Sequence, residues 1–203
     1  MRRVPPGKAM LWALLCAPAV PIAYRFFAEP GLLPGDLLHP TGEWAARLMV
    51  FAMALTPLSM ILPRREWTRW LLRHRRAFGV FAFGYAALHL LFYVLDMETV
   101  ANMLAEIGAT GIWTGWLAFL LLVPVALASN DHAVRTLGAA WKRVQRLAYP
   151  AAVLTLVHWA AIHDGLAAAF LTFAPLVLLQ MYRVVALRRG GVPSPTPLRR
   201  QYR

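Results

Sequence analysis

Acidic side chains are scarce: nine Asp and Glu stand against 21 Lys and Arg in 203 residues, and charged residues of both signs make up only 15% of the chain. A soluble catalytic domain needs a charged surface that this composition does not supply. Cysteine is nearly absent. Cys16 is the only one, set in an apolar segment, so the chain can form no internal disulfide and no cysteine-based metal site, and the residue simply fills space. The long apolar runs contain no carboxylate, which argues against a proton path through them. Nor does the formal charge of +12 point to nucleic acid, because the basic residues lie in short segments between apolar runs, not on one soluble face.

Hydrophobic residues are abundant, at 60% of the chain with a mean hydropathy of +0.54, the profile of a protein that crosses a lipid bilayer several times. The expected fold is all-α, a polytopic bundle of six transmembrane helices. A short basic start leads into an apolar stretch at 9–24, expected to be an uncleaved first span because Pro18 and Pro21 make Ala17-Pro18-Ala19 a poor cleavage site. Residues 29–43 carry turn chemistry at Glu29-Pro30-Gly31 and Pro34-Gly35-Asp36 and read as a loop. Further spans are expected over 44–62, with a kink at Pro57, over 77–95, over 107–130, over 147–163, and over 166–182 after a tight turn at Asp164-Gly165. Residues 63–76 and 131–146 read as basic connections and 96–106 as a short acidic one with an amphipathic turn of helix. Residues 1–189 form one membrane domain, and the Pro- and Arg-rich stretch 190–203 reads as a disordered tail.

Charge orients the bundle. Segments 1–8, 63–76, 131–146 and 183–203 hold 19 of the 21 Lys and Arg, while seven of the nine acids fall in the alternate connections. Positive charge is retained in the cytoplasm, so both termini are expected inside.

Within this frame two histidines stand out. His89 lies in a 19-residue run without charge, 13 residues past Arg76, and His158 lies 12 past Arg146. Each is therefore roughly 18–20 Å from the cytoplasmic boundary of a core about 30 Å thick. An ionisable group at that depth is a functional-site hypothesis or a hydrogen-bonded interior residue. Two neutral imidazoles at one level are the arrangement that holds a haem iron from both sides. Small residues one and two turns back on the same faces, Ala82 and Ala86 beside His89 and Ala151 and Thr155 beside His158, leave room for a flat porphyrin or let helices pack closely. With both axial positions filled by protein, such an iron would carry electrons and would not bind substrate. Arg47, and less clearly Arg25, lie near the outer ends of their helices, where they could pair with propionates or snorkel to the interface.

The residues resemble the haem-binding membrane subunit family of the bacterial periplasmic methionine sulfoxide reductase system, MsrQ, within the ferric-reductase-like transmembrane group. The likeness spans nearly the whole chain. It is carried by His39-Pro40-Thr41-Gly42 followed by Arg47, Leu55-Thr56-Pro57-Leu58, Arg75-Arg76-Ala77-Phe78-Gly79 with Ala87-Leu88-His89-Leu90, Leu137-Gly138 before Trp141, and Arg146-Leu147-Ala148-Tyr149 leading to Val157-His158-Trp159. The resemblance implies b-type haem, one per chain given Gln145 in place of a further histidine, a location in the bacterial inner membrane, and a periplasmic molybdopterin-containing methionine sulfoxide reductase as the electron acceptor. It implies the quinone pool or a cytosolic flavin reductase as donor, with FMN associated with some members, and by position it makes His89 and His158 the haem ligands. His39 fits the family's His-x-Thr-Gly pattern, touching the haem edge or the partner, or capping its helix through Thr41.

One position departs. Members commonly carry a further histidine 13 residues before the one matching His158, and here that place is Gln145, a poor haem ligand. His74 and His132 read as solvated loop residues, and His163 as interfacial. Two other functions stay open: a membrane ferric or other metal reductase, and a haem-free transporter or assembly protein.

Overall fold

The computed structural model describes residues 6–63, 65–162 and 166–189, whose regular secondary structure is all helix, with no strand among them. In chain order the helices are α1 (Pro6–Cys16), α2 (Ala19–Ala28), α3 (Leu38–Ile61), α4 (Glu66–Met97), α5 (Val100–Glu106), α6 (Thr110–Leu127), α7 (Asp131–Leu137), α8 (Ala140–Gln145), α9 (Ala148–Ile162) and α10 (Leu166–Arg188). A 3-10 turn at Pro34–Leu37 precedes α3. Four helices are long and apolar enough to cross a membrane, α3 with its preceding turn, α4, α6 and α10. The pair α1 and α2, bent by 41° at its break, makes a fifth candidate. At 15 residues α9 is shorter than the about 20 that span a bilayer upright. The expected turn at Asp164-Gly165 and the tail 190–203 lie outside the described residues.

Several boundaries differ from the sequence expectation for identifiable reasons. The first apolar stretch is two helices, because Pro18 lacks the N–H that would continue α1. The expected loop at 29–43 ends early, since α3 begins at Leu38 with Pro40 in its first turn, where a missing N–H costs nothing. The basic segment 63–76 is largely the first part of the 32-residue α4, which places His74 on a helix with its Nδ1 2.8 Å from the Trp70 carbonyl. Arginine is a good helix former, and charge alone does not unwind a segment that continues an apolar helix. Likewise 131–146 is mostly α7 and α8, with His132 on α7. The acidic connection does form a short helix, α5, whose side chains are all at least partly exposed.

Two antiparallel pairs organise the bundle. Helix α3 packs along α4, and α6 along α9, with α10 against α3 and α9. Small residues at the contacts let backbones approach: Ala46, Ala82, Ala151 and Ala152 are all buried. The 3-10 turn is tied to the end of α4 by the Gly35 N–H donating to Asp96 at 2.8 Å. Tyr85 donates its hydroxyl to the Leu15 carbonyl at 2.9 Å, joining α1 to α4.

Pro57 illustrates how a membrane bundle balances its polar groups. It sits inside α3 and is fully buried, and its missing N–H leaves the Met53 carbonyl one turn earlier without its helical donor. Gln180 of α10 supplies that donor, its Nε2 lying 3.1 Å from the Met53 oxygen. Replacing Gln180 with Met should lower stability by about 1 kcal/mol, read as a fall in melting temperature in detergent. In a Pro57→Ala background, where the backbone N–H is restored, the same replacement should cost much less, and a double-mutant cycle checks the coupling.

At the basic ends Arg76 donates a hydrogen bond to Asp131, linking α4 to α7 and holding the Asp131 carboxyl below the usual carboxylate range. Stability from this pair is present above the ordinary carboxylate pKa and is lost as pH falls through the lowered one. The pair is exposed, so Asp131→Asn should cost less than about 1 kcal/mol at neutral pH. That difference should vanish in acid and shrink in high salt, as melting curves across pH would show.

Candidate functional site

The rings of His89 on α4 and His158 on α9 meet between the two helix pairs, their centroids 5.9 Å apart and their planes at 88°. Both line a cavity of about 260 Å³ whose wall is predominantly apolar. The two histidines are thus at one level, although they are far apart in sequence and on different helices.

Each imidazole is anchored the same way. Nδ1 of His89 lies 2.9 Å from the Leu38 carbonyl of α3, and Nδ1 of His158 lies 2.7 Å from the Gly111 carbonyl of α6. A carbonyl only accepts, so Nδ1 carries a proton in both rings. Each bond crosses to the partner helix of the pair, so α3 and α6 hold the rings that α4 and α9 carry. Glycine makes the approach possible. A Cβ on Gly42 would stand 3.0 Å from Nδ1 of His89, and one on Gly115 would stand 2.6 Å from Nδ1 of His158. Chemically this is a pair of imidazoles, each oriented by a backbone carbonyl on Nδ1, at the wall of an apolar cavity.

Of the residues singled out by sequence, Ala82, Ala86, Thr155 and His39 also line the cavity. Ala151 does not; it is fully buried one turn below Thr155. Arg47 stands outside the lining with its guanidinium on Glu43, which is itself at the wall. Arg25 pairs with Glu29 at 2.9 Å. Thr41 does not cap α3, because its hydroxyl donates back to the carbonyls of Leu37 and Leu38 at 2.7 and 3.0 Å. His163 lies outside the described residues.

Sequence reading missed Gly111, Thr114, Gly115, Tyr93 and Trp116. Tyr93 reaches the cavity with its hydroxyl buried, and that oxygen has no partner at hydrogen-bonding geometry among the described residues. Its ring stands edge-on to Trp116, centroids 6.3 Å apart. The signal that could have found Gly115 is the dipeptide Thr-Gly, which occurs at 41–42, 110–111 and 114–115. Gln145, at the place of the further histidine, donates a hydrogen bond from Nε2 to the Val125 carbonyl at 3.1 Å and so serves the end of α6. Among the described residues no three His, Cys, Asp or Glu side chains come together as a metal-binding group.

Residues 41–156 match the family described as ferric reductase like transmembrane component. Curated relatives carry the name protein-methionine-sulfoxide reductase heme-binding subunit MsrQ. The protein from Caulobacter vibrioides is 39% identical over 156 residues, covering 74% of this chain and 72% of the relative. That from Xanthomonas campestris is 34% identical over 211 residues, covering 94% of this chain and 95% of its own. The Rhizobium meliloti protein is 33% identical over 158 residues, 74% of this chain and 71% of the relative. No solved structure matches the chain. The matched region contains most of both helix pairs that anchor the histidines, and the match extends over most of the chain in several relatives. This multi-pass membrane protein belongs to the MsrQ heme-binding subunit family of ferric reductase-like transmembrane components.

Proposed function

We propose that the chain is a b-type haem electron-transfer subunit of the bacterial inner membrane, with His89 and His158 as the two axial ligands. The observation that carries this reading is the ring pair itself, 5.9 Å apart with both Nδ1 atoms committed to backbone carbonyls. Two metal–nitrogen bonds of about 2 Å and two ring half-widths of about 1 Å add to about 6 Å, close to that separation. Two protein donors are too few for a bare ion, which takes four or more. They suit an iron whose other four positions a macrocycle already fills.

The chain's own residues then have definite tasks. The Leu38 and Gly111 carbonyls would accept the Nδ1 proton of each imidazole, fix the orientation of its ring and raise its basicity as a ligand. Ala82, Ala86 and Thr155 leave width between the helices for a flat group. The Tyr93 hydroxyl is a buried donor ready for a polar substituent, and Glu43 holds Arg47 at the rim. Low-spin haem iron with both axial positions filled supplies one-electron transfer. Because Gln145 is occupied at the end of α6, one haem per chain is the expected stoichiometry.

Six spans with both termini cytoplasmic remain the topology that the charge distribution favours, α9 completing the set and α1 with α2 forming the first span. The acceptor in this reading is a periplasmic molybdopterin-containing methionine sulfoxide reductase, and the donor is quinol or a flavin reductase. The chain would thereby support repair of oxidised periplasmic proteins.

An oxidised-minus-reduced visible spectrum of detergent-purified protein, with haem quantified per chain, tests the reading. The expected result is a six-coordinate b-type spectrum at about one haem per chain, lost or turned high-spin in His89→Ala and in His158→Ala. A colourless wild type from haem-replete cells would overturn it.

A further inference from the structure

The two histidine anchors are built on one local pattern, used twice. On α3 the accepting carbonyl is Leu38, Thr41 follows at the third position and Gly42 at the fourth; on α6 the carbonyl is Gly111, followed by Thr114 and Gly115. Both threonines are fully buried, and both donate back along their own helix; Thr41 in addition brings its hydroxyl oxygen to 3.3 Å from Nδ1 of His89. Thr41 reaches the carbonyls of Leu37 at 2.7 Å and Leu38 at 3.0 Å, and Thr114 reaches those of Thr110 at 2.6 Å and Gly111 at 3.0 Å. The carbonyl that accepts from the histidine is therefore, in each half, also a carbonyl that the threonine engages.

The physical logic is the same on both sides. Residues at the third and fourth positions sit over the carbonyl one turn on. A side chain at the fourth would cover the oxygen, and glycine uncovers it: the absent Cβ is what admits Nδ1 of His89 and of His158. Back-bonding by threonine bends a helix and tips its carbonyls outward. Tipped out and uncovered, the oxygen can accept from a second helix inside an apolar bundle. Packing alone explains a small residue at a helix crossing. It does not explain why both crossings share a back-bonded threonine, an uncovered carbonyl and a histidine proton.

We infer that Thr41-Gly42 and Thr114-Gly115 are two equivalent positioning elements, which set the proton on Nδ1 of His89 and His158 and hold their ring planes crossed. This rests on the axial-ligand reading above and adds to it that ring orientation and ligand basicity are controlled from α3 and α6, not from the helices that carry the histidines.

The test uses full-length, detergent-purified protein with Gly42→Ala, Gly115→Ala, and Val and Ser replacements of each threonine. Haem retention, the low-spin electron paramagnetic resonance spectrum, the midpoint potential and the melting temperature are measured for each. Wild type should give the strongly anisotropic low-spin signal of crossed imidazole planes, matching the 88° between the rings. Gly115→Ala should turn high-spin or bind haem at least about tenfold more weakly, the usual cost of losing an outer partner of a ligand. Gly42→Ala should do the same to a smaller degree, since its Cβ stands 3.0 Å from the ring nitrogen against 2.6 Å. Thr41→Val and Thr114→Val should shift the midpoint potential positive, because a weaker bond from Nδ1 leaves a less basic ligand, and the Ser variants should restore it. The threonine changes are nearly isosteric and carry the test if a glycine variant fails to fold. Wild-type resonance spectrum and potential in all the threonine and glycine variants, with haem still lost in His89→Ala and His158→Ala, would overturn this inference alone. Low-spin haem surviving in the two histidine variants would remove the axial-ligand reading, and this inference with it.

Discussion

Everything in this bundle depends on satisfying polar groups without water. The N–H of an imidazole at an apolar cavity wall must find an acceptor, and here the backbone of a neighbouring helix supplies one to each ring, with the Thr41 hydroxyl also 3.3 Å from Nδ1 of His89. The bonds from His89 to Leu38 and from His158 to Gly111 meet that demand and in doing so bind each helix pair together at the level of the cavity. The same two hydrogen bonds fix how each ring is oriented at the cavity wall.

The same constraint governs the rest of the chain. Pro57 breaks the α3 ladder and Gln180 repairs it from α10, while Gln145 and Trp141 donate to the carbonyls of Val125 and Ala128 at the end of α6. Each is a long-range contact between a polar side chain and a backbone oxygen. Such contacts specify which helices are neighbours where apolar packing, equally content with lipid, does not. They also explain why a glutamine can stand at position 145: it has a structural task that needs an amide donor, one that a haem-ligating imidazole would have to give up.

Much of the fold could be read from residue order. Apolar runs located the main helices, and the helix rise from Arg76 and Arg146 put His89 and His158 at one depth, consistent with the 5.9 Å between their rings. Errors fell where helix propensity and charge disagree or where proline acts locally. The basic stretch before Ala77 is helical because arginine is a good helix former and the backbone ladder of the apolar run continues through it, Arg75 turning its guanidinium to the Thr56 hydroxyl at 3.0 Å. The first apolar stretch is broken because Pro18 lacks a donor. The Thr-Gly dipeptides were visible but mute, since nothing in a linear sequence says that a histidine 47 or 51 residues away will come to rest on the carbonyl beside them.

The sequence by itself determined that the chain is an all-helical, multi-pass membrane protein with two deeply set histidines, because hydropathy and charge act locally and accumulate along the chain. Tertiary structure alone decided which carbonyls those histidines engage, that Arg47 turns to Glu43, that Ala151 packs away from the cavity, and that the two rings stand crossed. These depend on the direction of a side chain across a helix crossing, which is fixed by the close approach of α3 to α4 and of α6 to α9 through Gly42 and Gly115. No periodicity along a single helix encodes that approach.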